Sequence, residues 1–246
     1  MEHLDFRQAP AKWLLGYSDL SLLALATTLN TGIATAHGTN IIDLRGSEID
    51  PTTARWRDVL ESAAGDVIEQ VSSDFYQKKW DHANSSPQVF HLDEPTVWKT
   101  VSGRSETVEG RLLGGCIDVI RHLIGTPFGD VAKFRRMYIP QQPVVWYLEN
   151  CEMSTTDLKR SLLQMKYAGW FDNCAGIVFG RSAANEPVQG YTAQQVYKEL
   201  AEQLNTPVIY DADIGHQPPQ LIFVNGAYAT IIAQGGKGHV KQELRG

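Results

Sequence analysis

The sequence predicts an α/β fold. Short continuous apolar runs of β-forming residues recur at 144–148, 175–179 and 207–210. Helical patterns stand between them, and each run closes on a polar or glycine-containing turn. Strands alternating with helices in one chain argue for a sheet with helices packed on it.

The opening follows the same logic. Residues 12–15 are a short apolar run, Gly16-Tyr17-Ser18-Asp19 breaks it, and residues 20–29 continue as an alanine- and leucine-rich helix. Ser18 and Asp19 therefore stand where a strand gives way to a helix. The region after residue 47 changes character, mixing Trp56, Trp80 and Trp98 with Ser, Asn and Pro. Helix is expected over part of 53–70. Residues 72–108 read as a long excursion, a length usually reserved for functional or mobile loops.

Order returns at Glu109. Residues 110–115 lead into a helical run at 117–124, stopped by Gly125-Thr126-Pro127. After the strand at 144–148, Ser154 or Thr155 caps a helix with Asp157 in its first turn and Leu158, Leu162 and Met165 at i, i+4, i+7. The strand at 175–179 ends at Gly180-Arg181. Residues 192–204 form an amphipathic helix, and the strand at 207–210 runs into Asp211-Ala212-Asp213-Ile214-Gly215-His216. Gly235-Gly236-Lys237-Gly238 reads as a flexible tail, since no helix follows to make it a phosphate loop.

Composition narrows the function. The 246 residues are 43% hydrophobic, enough to bury a core in one large or two small domains. The net charge of −6 argues against a nucleic-acid polymer as partner. No apolar run approaches the ~18 residues needed to span a bilayer, and the first fifteen residues lack a signal-peptide pattern. Three cysteines at uneven spacing (Cys116, Cys151, Cys174) fit reduced thiols in a cytoplasmic protein.

The chemistry concentrates at strand ends, where α/β sheets gather ligands. Ser18 follows the first strand, Glu149 the strand at 144–148, and His216 the strand at 207–210. Serine, glutamate and histidine are what a nucleophilic hydrolase needs: a hydroxyl, an imidazole to take its proton, and a carboxylate to orient the imidazole. Each has a structural alternative. Ser18 or Asp19 can cap the helix after it, and Glu149, like Glu152, can be a first-turn acid. The turn also lacks the last glycine of G-x-S-x-G. Asp211, Asp213 and His216 could instead hold a metal, but the other histidines (His37, His82, His91, His122, His239) are scattered, so no metal or other cofactor is expected. Cys116 is a candidate thiol nucleophile or an inert buried cysteine.

In the order and spacing of several segments the chain resembles the LD-carboxypeptidase family of serine peptidases, which includes murein tetrapeptide carboxypeptidases and microcin C immunity peptidases. These segments are Leu4-Asp5-Phe6, Gly16-Tyr17-Ser18-Asp19, Thr31-Gly32, residues 109–115, Gly125-Thr126-Pro127, Leu148-Glu149-Asn150, residues 176–181, and 207–209 through Gly215-His216. The resemblance implies Ser18 as nucleophile, His216 as general base, Glu149 as its orienting acid, and the Asp19 amide as an oxyanion donor. It implies a partial Rossmann-like nucleophile domain (1–46), a linker with an extended loop (47–108), and a C-terminal α/β domain with a barrel-like sheet carrying Glu149 and His216 (109–246). It further implies a cytoplasmic homodimer acting on a small peptide or peptidyl nucleotide. Trp98 or Trp80 is the implied aromatic to stack on a nucleobase. Arg181 is a candidate cation for a substrate carboxylate.

Two departures stand out. The family carries a further N-terminal portion with a glycine-rich turn supplying a second oxyanion donor, whose loss costs on the order of 10²–10³ in rate. A truncated, impaired member acting as a fragment or binding subunit is therefore the alternative expectation. Cys116 also stands where the family usually has asparagine.

Overall fold

The computed structural model describes residues 11–81, 83–84 and 86–245. The segment Leu4-Asp5-Phe6 lies outside them. Strand β1 (Leu15–Gly16) turns into helix α1 (Leu20–Thr31), and β2 (Thr35–His37) follows. Helix α1 stops at Gly32, whose left-handed φ of 73° returns its N–H to the Thr28 carbonyl. Short helix α2 (Pro51–Ala54) starts from Asp50, which accepts from the Thr52 and Thr53 amides, and α3 (Trp56–Leu60) follows after Arg55. Four strands come next: β3 (Val67–Val71), β4 (Phe75–Tyr76), β5 (Glu94–Pro95) and β6 (Lys99–Thr100).

The long β7 (Glu106–Cys116) runs directly into α4 (Ile117–Ile120), and α5 (Val131–Tyr138) precedes β8 (Val144–Glu149). Helix α6 (Thr155–Tyr167), β9 (Cys174–Gly180), α7 (Ala193–Leu204) and β10 (Val208–Ala212) then alternate as their patterns predict. Ser154 caps α6, and Thr192 with Gln195 forms a capping box on α7. Strands β11 (Phe223–Asn225), β12 (Tyr228–Gln234) and β13 (Lys237–Glu243) close the chain.

Eight strands make one mixed sheet in the order β3-β13-β12-β7-β8-β9-β10-β6. Strands β7 to β10 are parallel, and the outer strands pair antiparallel. Central β8 is buried along its whole length. Val144, Trp146 and Leu148 join the core under the helices, while Val145 and Tyr147 join the core on the other face. A strand covered on both faces must be apolar throughout, which is why 144–148 is legible as a continuous run.

Three expectations need correction. Helix stops at Leu60, and residues 67–71 are instead a strand of alternating exposure at one sheet edge. The stretch read as a tail is the turn of the β12–β13 hairpin, with Gly235 and Gly236 at positive φ joining seven paired positions. Among the described residues the sheet is open between β3 and β6, so it does not close into a barrel.

A second, three-stranded sheet has the order β1-β2-β11, β1 and β2 running parallel and β11 antiparallel to β2. Segments early and late in the sequence thus share one sheet. The paired glycines of β7 allow two close approaches, one to the neighbouring strand β8 and one to helix α1. A Cβ on Gly114 would overlap the Tyr147 carbonyl oxygen, and one on Gly115 (φ 140°) would lie 2.7 Å from the Ser21 Cβ in α1.

Gly114→Ala forces backbone against backbone, so a loss of about 3 kcal/mol is expected. For a chain of this length that lowers Tm by about 6–12 °C in calorimetry. An unchanged Tm would mean that β7 and β8 can separate without penalty.

Candidate active site

Ser18 sits in a strained turn. It has φ 61°, between the end of β1 and the start of α1. A non-glycine residue there costs of order 1–3 kcal/mol and persists only when its surroundings enforce it. Backbone bonds from Ser21 N to Ser18 O (2.9 Å) and from Leu22 N to Asp19 O (3.2 Å) lock the turn. Asp19 holds the N-cap position with helical dihedrals and no side-chain cap bond. Capping therefore does not account for either polar residue. A strand–turn–helix with a strained serine has the mechanics of a nucleophile elbow.

Glu149 ends β8 and is 0% exposed. Its Oε2 lies 2.7 Å from His216 Nδ1, and its Oε1 lies 3.4 Å from His37 Nε2. With Nδ1 turned to the carboxylate, Nε2 is the nitrogen left to exchange a proton. Gly215 makes the approach possible: it has φ 99°, and a Cβ there would overlap Glu149 Oε2. Tyr17, the neighbour of Ser18, sets its ring edge-on to the His216 ring with centroids 4.8 Å apart. This contact links the serine turn to the histidine loop.

Electrostatics follow from burial and pairing. Burial pushes the Glu149 carboxyl up, but hydrogen bonding to His216 and attraction to both histidines outweigh it and hold the group at about 2. Burial pushes His216 down, but the Cys151 thiol and the Glu149 carboxylate outweigh it and lift the imidazole to about 10. Burial, with Glu149 and Asp118 nearby, pushes the Cys116 thiol well up. Its Sγ donates to Asp118 Oδ2 at 3.4 Å, so a thiolate nucleophile is disfavoured there.

Of the remaining candidates, Trp80 lies at the site and two others lie behind it. The half-buried Trp80 donates from Nε1 to the His216 carbonyl oxygen at 2.8 Å. Trp98 is 3% exposed and donates to Asp213 Oδ2 at 2.7 Å, so its ring is packed inside rather than offered to a base. Arg181 is 4% exposed. Its Nη1 donates to Asp213 Oδ1 (2.8 Å), and its Nη2 to the carbonyls of Gln217 (3.0 Å) and Pro219 (2.8 Å). The guanidinium is spent on the loop that carries His216, which corrects its reading as a cation free for substrate. Asp213 also accepts from Ser73, and Asp211 pairs with Lys99 at 2.8 Å. Both aspartates of the supposed metal loop therefore already have partners.

Sequence reasoning missed Tyr17, His37 and the role of Asp213. The available signal for His37 was its position before Gly38 at the end of a short strand next to the serine turn.

Residues 109–231 match the family described as the LD-carboxypeptidase C-terminal domain. Curated relatives include a putative carboxypeptidase of Vibrio cholerae, 24% identical over 89% of this chain and 64% of that protein. A probable murein peptide carboxypeptidase of Bacillus subtilis is 23% identical over 88% of this chain and 58% of that protein. The chain thus spans less than two thirds of the length of these relatives. Among solved structures, a MccF-like protein from Bacillus anthracis superposes with a TM-score of 0.72 at 24% identity, covering 98% of this chain and 71% of that one. A muramoyltetrapeptide carboxypeptidase from Oxalobacter formigenes gives 0.70 at 19% identity, covering 100% and 74%. At these identities the structural likeness speaks for the fold.

Arg181→Met would leave Asp213 buried without its cation, a change expected to cost about 3–5 kcal/mol. Urea unfolding measures it. An intact midpoint with a raised KM would instead return Arg181 to a substrate-binding role.

Proposed function

Because the chain belongs to the LD-carboxypeptidase family, we propose that it is a serine hydrolase of amide bonds in small peptides, working through Ser18, His216 and Glu149. The observation that carries the proposal is the buried Glu149–His216 pair set beside the strained turn that holds Ser18.

Ser18 Oγ attacks the substrate carbonyl carbon while His216 Nε2 takes the hydroxyl proton. The tetrahedral oxyanion receives the Asp19 amide at the start of α1, a position where backbone N–H groups favour negative charge. Collapse breaks the C–N bond, and His216 gives its proton to the departing amine. Water then attacks the acyl-serine with His216 again as base, and the Oγ leaves with the returned proton. Glu149 holds the Nδ1 tautomer throughout and stabilises the imidazolium that forms twice per cycle.

The substrate class we propose is a murein LD-peptide or a microcin C-like peptidyl nucleotide. One fold relative is a muramoyltetrapeptide carboxypeptidase. A MccF-like protein from Streptococcus pneumoniae is in complex with AMP, and MccF is in complex with glutamyl sulfamoyl guanosine. The second class is favoured by Trp80, an amphipathic ring hydrogen-bonded to the His216 backbone, where it could stack on a nucleobase. A cytoplasmic homodimer belongs to the same proposal. No helix among the described residues is long and apolar enough to cross a membrane.

The first test is turnover of an LD-tetrapeptide and of a peptidyl-adenylate analogue. Ser18→Ala is expected to lower kcat by roughly 10⁴–10⁶-fold and Glu149→Gln by roughly 10⁴-fold. Equal turnover by the parent and Ser18→Ala would remove the serine mechanism, and background rates in both would favour the binding-subunit reading. The second test is pH. His216 must be unprotonated to act and its pairing lifts it to about 10, so kcat/KM is expected to rise as pH climbs from neutral toward that value. Glu149, held at about 2, adds no acid limb near neutrality. A flat profile above neutral pH would contradict this assignment of the base.

A further inference from the structure

Glu149 touches two histidines, and the hydrolase reading uses only one. His37, the last residue of β2, is 1% exposed, and its Nε2 lies 3.4 Å from Glu149 Oε1. Among the described residues neither of its ring nitrogens has a hydrogen bond, and Glu149 Oε1 also lacks one, so the pair is close without being well aligned. An imidazole with two unsatisfied nitrogens is an unfavourable filler for a dry site, where an apolar side chain would carry no such penalty. Two facing unsatisfied groups need only a small tilt to satisfy each other.

The backbone of His37 adds a second link. His37 is registered with Gly16 on β1 and with Phe223 on β11, and the Gly38 N–H donates to the Gly16 carbonyl at 3.3 Å. Gly16 is two residues before Ser18. The histidine that reaches Glu149 with its side chain is thus hydrogen-bonded through its strand to the element that presents the serine.

We propose that His37 is a positioning residue that shares the Glu149 carboxylate with His216 and so limits how strongly that carboxylate holds a proton on His216. The proposal rests on the serine-hydrolase reading for its purpose, though its geometry stands without it. His216 is already lifted to about 10 by its pairing; with one donor fewer on the carboxylate the imidazole becomes more basic still, and a smaller fraction of it is free at neutral pH to accept the serine proton. A second N–H on the same carboxylate draws off negative charge and lowers the proton affinity of the pair. Removing His37 therefore raises His216 further, and each unit of rise reduces the free base at neutral pH tenfold.

The other groups facing this cluster are accounted for. Tyr17 beside His216, Tyr147 with its ring 5.4 Å from that of His37, and Cys116 near Glu149 are all pushed upward, mainly by burial, and stay neutral at pH 7. Cys151 faces His216. Asp43, raised to about 6 by burial, changes charge close to neutrality. The double variant with Asp43→Asn removes that complication.

The experiment compares His37→Phe, His37→Gln and His37→Asn in the full chain, by ¹⁵N-resolved titration of the His216 ring and by pH profiles of kcat and KM. His37→Phe should move the His216 titration upward by about one unit and lower kcat at neutral pH about tenfold, with KM unchanged because His37 is out of reach of substrate. His37→Gln, whose amide reaches as far as Nε2, should restore most of the parent behaviour, and the shorter asparagine should not. Should His37→Phe fail to fold, the Gln–Asn contrast decides alone. A His216 titration that is unchanged in His37→Phe, or identical in the Gln and Asn variants, overturns the proposal. The titration needs no turnover, so a chain that proves inactive would refute the hydrolase reading and still test His37.

Discussion

A carboxylate buried to zero exposure is tolerable only if its charge is matched, because an isolated buried ion costs several kcal/mol. Glu149 is such a group, and the surrounding architecture can be understood as what it takes to match it. Strands on both sides of β8 exclude water from its end. A glycine at position 215 lets the His216 ring close onto one oxygen, and the short β2 brings His37 toward the other. The result is an imidazole whose basicity is set by its partners rather than by solvent. That is the property a proton-transfer base requires.

The loop that carries His216 is anchored from below by a second buried ion pair. Asp213 takes hydrogen bonds from Arg181, Trp98 and Ser73, and Arg181 in turn donates to two carbonyls beyond His216. These groups come from the end of β9, from the segment before β6, from the turn between β3 and β4, and from the loop itself. Such a network contributes less to net stability than its bond count suggests, since desolvation offsets much of the attraction. What it gives is fixed geometry. With backbone carbonyls tied on one side of His216 and the Trp80 indole on its own carbonyl, the histidine has little freedom except at its ring edge.

Much of this was legible in the sequence, and the failures have physical reasons. Strands buried on both faces announce themselves as apolar runs, as at 144–148, and helices α6 and α7 by their caps and periodicity. The strands at 67–71 and 237–243 escaped because each has a solvent face and a glutamine where an apolar residue would be expected. Gln70 and Gln242 are buried, and both bond the backbone at Ile222, with Gln242 also accepting from Val224. They act as side-chain substitutes for a missing strand partner, which hydropathy cannot express. For the site, residue type and strand-end position pointed to Ser18, Glu149 and His216. The same reasoning misjudged Trp98 and Arg181, because a side chain's chemistry is written in the sequence while the direction it faces is decided by packing.

How the serine turn and the histidine loop come to face each other is a question of backbone rather than of side chains. The expected division of the chain set residues 1–46 apart from 109–246, joined by a linker. Yet β11, from the far end of the sequence, is hydrogen-bonded to β2, which is hydrogen-bonded to β1 just ahead of Ser18. Asn225 at the end of β11 reaches both ways, accepting from the Gly114 amide of β7 and contacting Thr35 of β2. The intervening residues supply β3 and β6 at the two edges of the large sheet. The three-stranded sheet therefore does the work assigned to the linker. It ties the turn that holds Ser18 to β11, which begins seven residues after His216, by ladder hydrogen bonds. In the proposed hydrolase, a site tied together in this way would be organised before substrate arrives, leaving binding energy for orientation of the scissile bond.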